Sequence, residues 1–143
     1  MDYCNSILYG ISEKLLHELQ LFLNAAAKTI VGLYKYDHIG DTLKDLHWLP
    51  VRFRIRYKLL LLVYKCLNSM GPYYLCEMLS YCNYGHNIVL NEPYVKTTYG
   101  ARAFCKAGPQ LWNSLPSEIR ECSSLETFKS RLKTYLFNEA YCV

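Results

Sequence analysis

From Val51 to Asn68 no glycine or proline interrupts the chain, and the centre of that stretch, Leu59-Leu60-Leu61-Leu62-Val63, is apolar at consecutive positions. A helix of this kind is hydrophobic nearly all round, so protein must surround it rather than cover one face. Pro50 suits the first helical position and Ser69-Met70-Gly71-Pro72 ends the pattern. A chain of 143 residues can enclose such a helix only by committing most of its other segments to the same task, which implies a mainly α-helical fold. The apolar run lies between Lys58 and Lys65, far short of the roughly 20 residues a membrane helix needs. The opening Met-Asp-Tyr-Cys-Asn lacks a basic region ahead of an apolar stretch, so an intracellular location, cytoplasmic or nuclear, is expected.

Periodicity places the other elements around it. Ser12 can cap a helix over residues 13–31, with Leu15, Leu16, Leu19, Leu23, Ala26, Ala27, Ile30 and Val31 recurring at three and four, and Gly32 offers its stop. After the turn Asp37-His38-Ile39-Gly40-Asp41, a short helix over 42–47 directs Leu43 and Leu46 inward. Pro72 starts another over 73–81. Asn87-Ile88-Val89-Leu90 and residues 94–99 flank Asn91-Glu92-Pro93 and read as a short β-hairpin. Further helical pieces are expected at 110–114 after Pro109 and 117–121 after Pro116. The box Ser123-x-x-Glu126 opens a last helix with Leu125, Phe128, Leu132, Leu136 and Ala140 on one stripe. Trp48 and Trp112, each just ahead of a Leu-Pro corner, are expected as core anchors.

Chemical motifs are absent. The chain carries no glycine-rich phosphate loop, nucleophile elbow or H-E-x-x-H. Two-metal catalysis needs closely placed carboxylates, whereas the acidic residues here stand singly. Seven cysteines, an odd number without paired rhythm, read as reduced thiols and not as a disulfide scaffold. Cys76 and Cys82, with no His pair to complete them, are too far apart for an ordinary zinc module, and helix capping and solvation explain His38, Asp41 and Asp45 more cheaply. No cofactor, metal or small-molecule substrate is expected.

The net charge of +4 is modest, but much of it sits in Arg52, Arg54, Arg56 and Lys58, at a helix start where the macrodipole favours anions. Arg52 and Arg56 share one side of the helix and Arg54 and Lys58 another, with Lys65 further on. Two readings stand: the cations displace counterions from a phosphate backbone, or they pair with Glu13, Glu18 or Asp45.

Several blocks stand in order along the chain: Asp2-Tyr3-Cys4-Asn5-Ser6-Ile7-Leu8-Tyr9-Gly10, Asn24-Ala25-Ala26-Ala27, Asp37-His38-Ile39, Leu46-His47-Trp48-Leu49-Pro50-Val51-Arg52, Arg56-Tyr57-Lys58, Tyr99-Gly100-Ala101-Arg102-Ala103-Phe104, Leu111-Trp112-Asn113-Ser114-Leu115-Pro116 and Phe128-Lys129-Ser130-Arg131-Leu132-Lys133. Together they resemble the carboxyl-terminal end of LINE-type (non-LTR retrotransposon) reverse transcriptases. The chain departs from the family's pattern at Leu21-Phe22-Leu23, where a basic residue is usual, and at Gly40-Asp41, where a Thr-Pro helix start is usual.

The resemblance implies a fragment without the palm and its active site, hence no enzyme. It implies a thumb-like helical bundle over 1–82 and a smaller tail with the hairpin and terminal helix over 83–143. Arg52, Arg54, Arg56, Lys58 and Lys65 would then touch RNA or RNA–DNA hybrid backbone, weakly and salt-sensitively, with the missing polymerase palm as a second partner. The alternative is a helical protein-interaction module, or an inert remnant, with no nucleic-acid binding.

Overall fold

The structure, a computed structural model, describes residues 4–34, 39–82 and 89–142, Cys82 by its backbone alone. It is mainly α-helical. The turn residues Asp37 and His38 and the start of the expected hairpin, Asn87 and Ile88, lie outside the described residues. Among these residues no helix is long and apolar enough to cross a membrane. The chain forms two compact units, Met1–Ile55 with Thr134–Val143, and Arg56–Lys133, whereas the sequence reading divided it after residue 82.

In the first unit, α1 (Glu13–Val31) is capped by Ser12, whose side chain accepts from the Leu15 N–H, and closed by Gly32 at φ +75°. That left-handed conformation is one glycine adopts without steric cost. The expected apolar stripe proves too wide. Leu23 and Ala27 are buried and Leu16 and Leu19 half-buried, while Leu15, Ala26, Ile30 and Val31 are exposed. The second helix, α2 (Gly40–Asp45), ends before the expected residue 47. His47 takes a left-handed φ of +52°, and the Trp48 N–H returns to the Leu43 carbonyl at 2.9 Å, a closure that satisfies a helix-end acceptor.

The first turns of α3 (Val51–Leu67) complete this core: Leu23, Ala27, Leu43, Val51 and Ile55 are buried together, with Trp48 and Tyr141 packed against them. Gln20 ties α1 to the start of α3. Its Oε1 accepts from the Val51 N–H at 2.9 Å, filling one of the donor positions a helix start leaves open. The Tyr141 hydroxyl donates to the Trp48 carbonyl oxygen, which fixes the end of α7 (Leu125–Tyr141) here.

The second unit holds the remainder of α3 and the beginning of α7, together with α4 (Tyr73–Cys76), β1 (Tyr81–Cys82), β2 (Val89–Leu90), α5 (Phe104–Asn113) and α6 (Ser117–Arg120). Leu59, Leu60, Val63, Tyr64, Trp112, Phe128 and Leu132 are buried. Phe128 stacks on Tyr64 at 4.1 Å between ring centroids and meets Trp112 at 5.9 Å. The anchoring expected of Trp112 is therefore its observed place, while Trp48 is only half-buried.

Four local expectations are corrected in this unit. The expected pairing of 87–90 with 94–99 is not formed: β2 pairs antiparallel with β1, Leu90 opposite Tyr81 and Val89 opposite Cys82, and 94–99 is not a strand. The reason is that Asn113 occupies the backbone of Leu90, accepting from its N–H and donating to its carbonyl, both at 2.9 Å. The helix after Arg102 begins at Phe104 and carries Pro109 inside it, so Pro109 forfeits one backbone bond instead of opening the helix. The helix at Tyr73 ends at Cys76 rather than residue 81. The cap of α7 is Ser124, not Ser123: its Oγ accepts from the Thr127 N–H at 3.2 Å, and Glu126 turns to Lys129 at 2.7 Å.

Candidate nucleic-acid interface

The five basic residues singled out from sequence all stand on α3, but their surroundings differ. Helix positions two apart point to nearly opposite sides. Arg52 and Arg56 therefore lie on one side of α3, and Arg54, Lys58 and Lys65 on the other.

In the first unit, Arg52 forms an ion pair with Glu13 from the first turn of α1. Both side chains are exposed, 55% and 78%, so the pair is screened by solvent and free to exchange partners. Arg54 is held differently. Its Nε donates to the Leu49 carbonyl at 2.9 Å and its guanidinium lies 5.4 Å from the centroid of the Trp48 ring. These contacts answer the question raised by cations at a helix start: a carboxylate, a carbonyl and an aromatic face offset the unfavourable dipole. Glu18 and Asp45, the other acids considered, form no ion pair with these arginines among the described residues.

In the second unit, Arg56 is half-buried and its Nε is shielded from solvent. Lys58 and Lys65 are half-buried as well, and neither meets a carboxylate among the described residues. Long apolar stems packed against the protein with ammonium groups left to water are the ordinary arrangement for such lysines. Seven residues separate them along one helix side, about 10 Å of axial rise.

Residues that sequence reasoning left aside make the tighter polar construction. The Glu92 carboxylate accepts from Lys106 Nζ at 3.0 Å and from Asn113 Nδ2 at 3.1 Å. The Lys106 hydrogen bond, aided by Asn113, holds the Glu92 carboxyl below its ordinary value. Asn113 thus serves Leu90 and Glu92 together, and its place inside Leu111-Trp112-Asn113-Ser114-Leu115-Pro116 was the signal that could have marked it. The arrangement orders backbone and offers no displaced proton or open coordination site.

Two hollows accompany these features. A groove of about 440 Å³ in the first unit is lined by Leu16, His17, Asn24, Leu43 and Phe53 among others. A cavity of about 140 Å³ in the second is lined by Asn68, Tyr81, Trp112 and Arg120 among others. No group of three or more metal-ligating side chains occurs among the described residues. No protein-family model, curated protein or solved structure matches this chain.

Proposed function

We propose that this chain is a non-catalytic helical module that rests against the backbone of RNA or an RNA–DNA hybrid, weakly and without reading sequence. The observation that carries the reading is the pair Lys58 and Lys65: two ammonium groups on one side of α3 with no carboxylate partner among the described residues. Phosphate contacts position a protein on nucleic acid without specifying sequence, and such a pair can do no more. The resemblance to the thumb and tail of LINE-type reverse transcriptases supports the same reading independently. The five sequence candidates narrow to these two because Arg54 is held by Leu49 and Trp48, Arg52 is already paired, though exchangeably, with Glu13, and the Nε of Arg56 is shielded from solvent.

The test is fluorescence anisotropy of a labelled RNA–DNA hybrid across a salt series. With two phosphates neutralised, log affinity against log salt should have a slope of about −2, and a Lys58→Gln/Lys65→Gln double variant should lose both affinity and slope. A salt-insensitive affinity, or a double variant that binds as wild type does, refutes it.

A second reading has its own observation. On α1, Leu15, Phe22 and Ile30 are 51%, 68% and 63% exposed on neighbouring positions of one side, an apolar strip of the sort that marks protein contact. If the hybrid does not bind, a helical interaction module is the reading left standing.

A further inference from the structure

Between Glu92 and Glu118 the chain carries no acidic residue. Within that span, residues 94–102 hold two tyrosines and two cations that the fold leaves in solvent. Tyr94 is 86% and Tyr99 82% exposed, although a phenol ring carries ample apolar area to bury. Lys96 and Arg102 are exposed as well, and neither meets a carboxylate among the described residues. The Arg102 guanidinium lies 5.5 Å from the centroid of the Tyr99 ring, a cation–aromatic contact that still leaves this ring accessible.

The segment that carries them is tied down. The Ala101 N–H donates to the Thr97 carbonyl and the Arg102 N–H to the Tyr99 carbonyl, both at 3.1 Å, while the Thr97 hydroxyl accepts from the Gly100 N–H at 3.0 Å. Val95 comes back against Gly100. A Cβ on that glycine would lie 3.3 Å from the Val95 Cβ and 3.0 Å from the Thr97 hydroxyl oxygen, so the closure suits a residue without one. Tyr94 and Tyr99 each stand one residue ahead of this contact, which keeps their Cα atoms within about 14 Å of each other. Two aromatic rings are thus held near one another, with a cation following each in the sequence.

Rings left in water beside cations without carboxylate partners, in a stretch free of acid, fit one ligand chemistry. Every base offers a π-face on which an aromatic side chain can stack, and the phosphates that link bases seek positive charge. We infer that Tyr94, Lys96, Tyr99 and Arg102 form a binding site for single-stranded nucleic acid, RNA or DNA, in which unpaired bases stack on the two rings and the phosphates meet Lys96 and Arg102. A duplex cannot use it in the same way, because its bases are already stacked on one another. The site therefore goes beyond the backbone contact at Lys58 and Lys65, which needs no base, and does not depend on it.

Fluorescence anisotropy of the full chain with labelled oligouridylate, with oligothymidylate and with an abasic strand of the same length tests this. The base-bearing strands should bind at low salt, and the abasic strand at least about fivefold more weakly. Tyr94→Ala and Tyr99→Ala should each weaken binding about 5- to 150-fold, whereas Tyr94→Phe and Tyr99→Phe, which keep the ring, should bind as wild type does. Lys96→Gln/Arg102→Gln should flatten the slope of log affinity against log salt by about 1.4, the share of two phosphates on a single strand. The Lys58→Gln/Lys65→Gln chain should keep its affinity for single strands, and the tyrosine variants theirs for the hybrid, so that the failure of either site is seen apart from the other. Binding of only one of the two base-bearing strands upholds the site and names the sugar it takes. Single strands that do not bind, an abasic strand that binds equally well, or alanine variants that bind as wild type does overturn the inference and leave the two rings as a surface for protein contact.

Discussion

The Tyr64 hydroxyl donates to the Cys122 carbonyl oxygen at 2.9 Å, linking the middle of α3 to the segment between α6 and α7. Tyr64 is 1% exposed, so its phenol and that carbonyl have no water to replace each other. Tyr64→Phe keeps the stacking on Phe128 but strands the acceptor, and should cost about 1–3 kcal/mol in urea unfolding. An unchanged midpoint would show that the bond contributes nothing.

The same burial sets a pH dependence. Desolvation raises the Tyr64 phenol above its ordinary 10.0, with Cys122 adding to it, and burial also raises Tyr57 and Tyr141. The Cys66 thiol is raised from 9.0 by burial and by Cys76. Each such group loses its proton first in the unfolded chain. Their contribution is thus complete below the ordinary values and is lost as pH rises from about 9 through the folded values. Stability measured from about pH 8 to pH 11 should fall on the alkaline side, and less steeply in Tyr64→Phe.

Asn113→Ala should be more damaging than its half-buried position suggests. One amide side chain satisfies both the N–H and the carbonyl of Leu90 and a Glu92 oxygen. Removing it leaves the backbone of a residue that is 1% exposed without partners, a loss of about 2–3 kcal/mol. Glu92 adds an acid limb. Its lowered carboxyl, held first by Lys106, supplies stability above the ordinary value of 4.5 that disappears as pH falls through the folded value. Glu92→Gln should flatten that limb in acid titrations followed by circular dichroism.

What was legible in the sequence follows the range of the forces involved. Ser12, Gly32 and Pro50 act on their own turns, so α1 could be placed to the residue and the start of α3 to within one, Pro50 standing just ahead of Val51 instead of at the first helical position. The apolar Leu59–Val63 run pointed to burial, and Leu59, Leu60 and Val63 are buried, while Leu61 and Leu62 are half-buried. The partner of β2 was not legible, since it depends on an amide 23 residues away from Leu90. Nor could the cap of α7 be told from its neighbour: Ser123 and Ser124 are chemically alike, and only the Thr127 N–H distinguishes them. The basic cluster was visible as a cluster, but which cation is committed depended on the fold bringing Glu13, Leu49 and Trp48 to it.

Trp112 combines near-complete burial with an indole Nε1 that has no acceptor among the described residues. Trp112→Ala should cost about 3–5 kcal/mol, near the whole stability of such a domain. Trp112→Phe should cost far less than that, because the smaller ring retains much of the contact and removes an unsatisfied donor. Equal losses in the two variants, read from chemical denaturation, would mean that the indole nitrogen has a role the geometry does not give it.

Purified protein should extend no primer on an RNA or DNA template with magnesium or manganese present. The expectation rests on the non-catalytic reading proposed above, since two-metal phosphoryl transfer requires carboxylates that converge on both ions. Incorporation that survives removal of contaminating polymerases, and that tracks the protein through gel filtration, would contradict the non-catalytic reading.

Arg52 and Arg54, two residues apart in the sequence, should respond differently to the same substitution. Arg52→Gln breaks a pair whose two side chains lie in solvent, and such pairs contribute below about 1 kcal/mol. Arg54→Gln removes a bond to the Leu49 carbonyl and a cation over the Trp48 ring, a loss of about 1–2 kcal/mol. High salt should erase the Arg52 effect, since exposed charges are screened. The Arg54 effect should persist, because a partly buried hydrogen bond is not. Unfolding midpoints of both variants at low and high salt decide the matter: matching losses that both vanish in salt would return Arg54 to the solvated basic residues and reopen it as a phosphate contact.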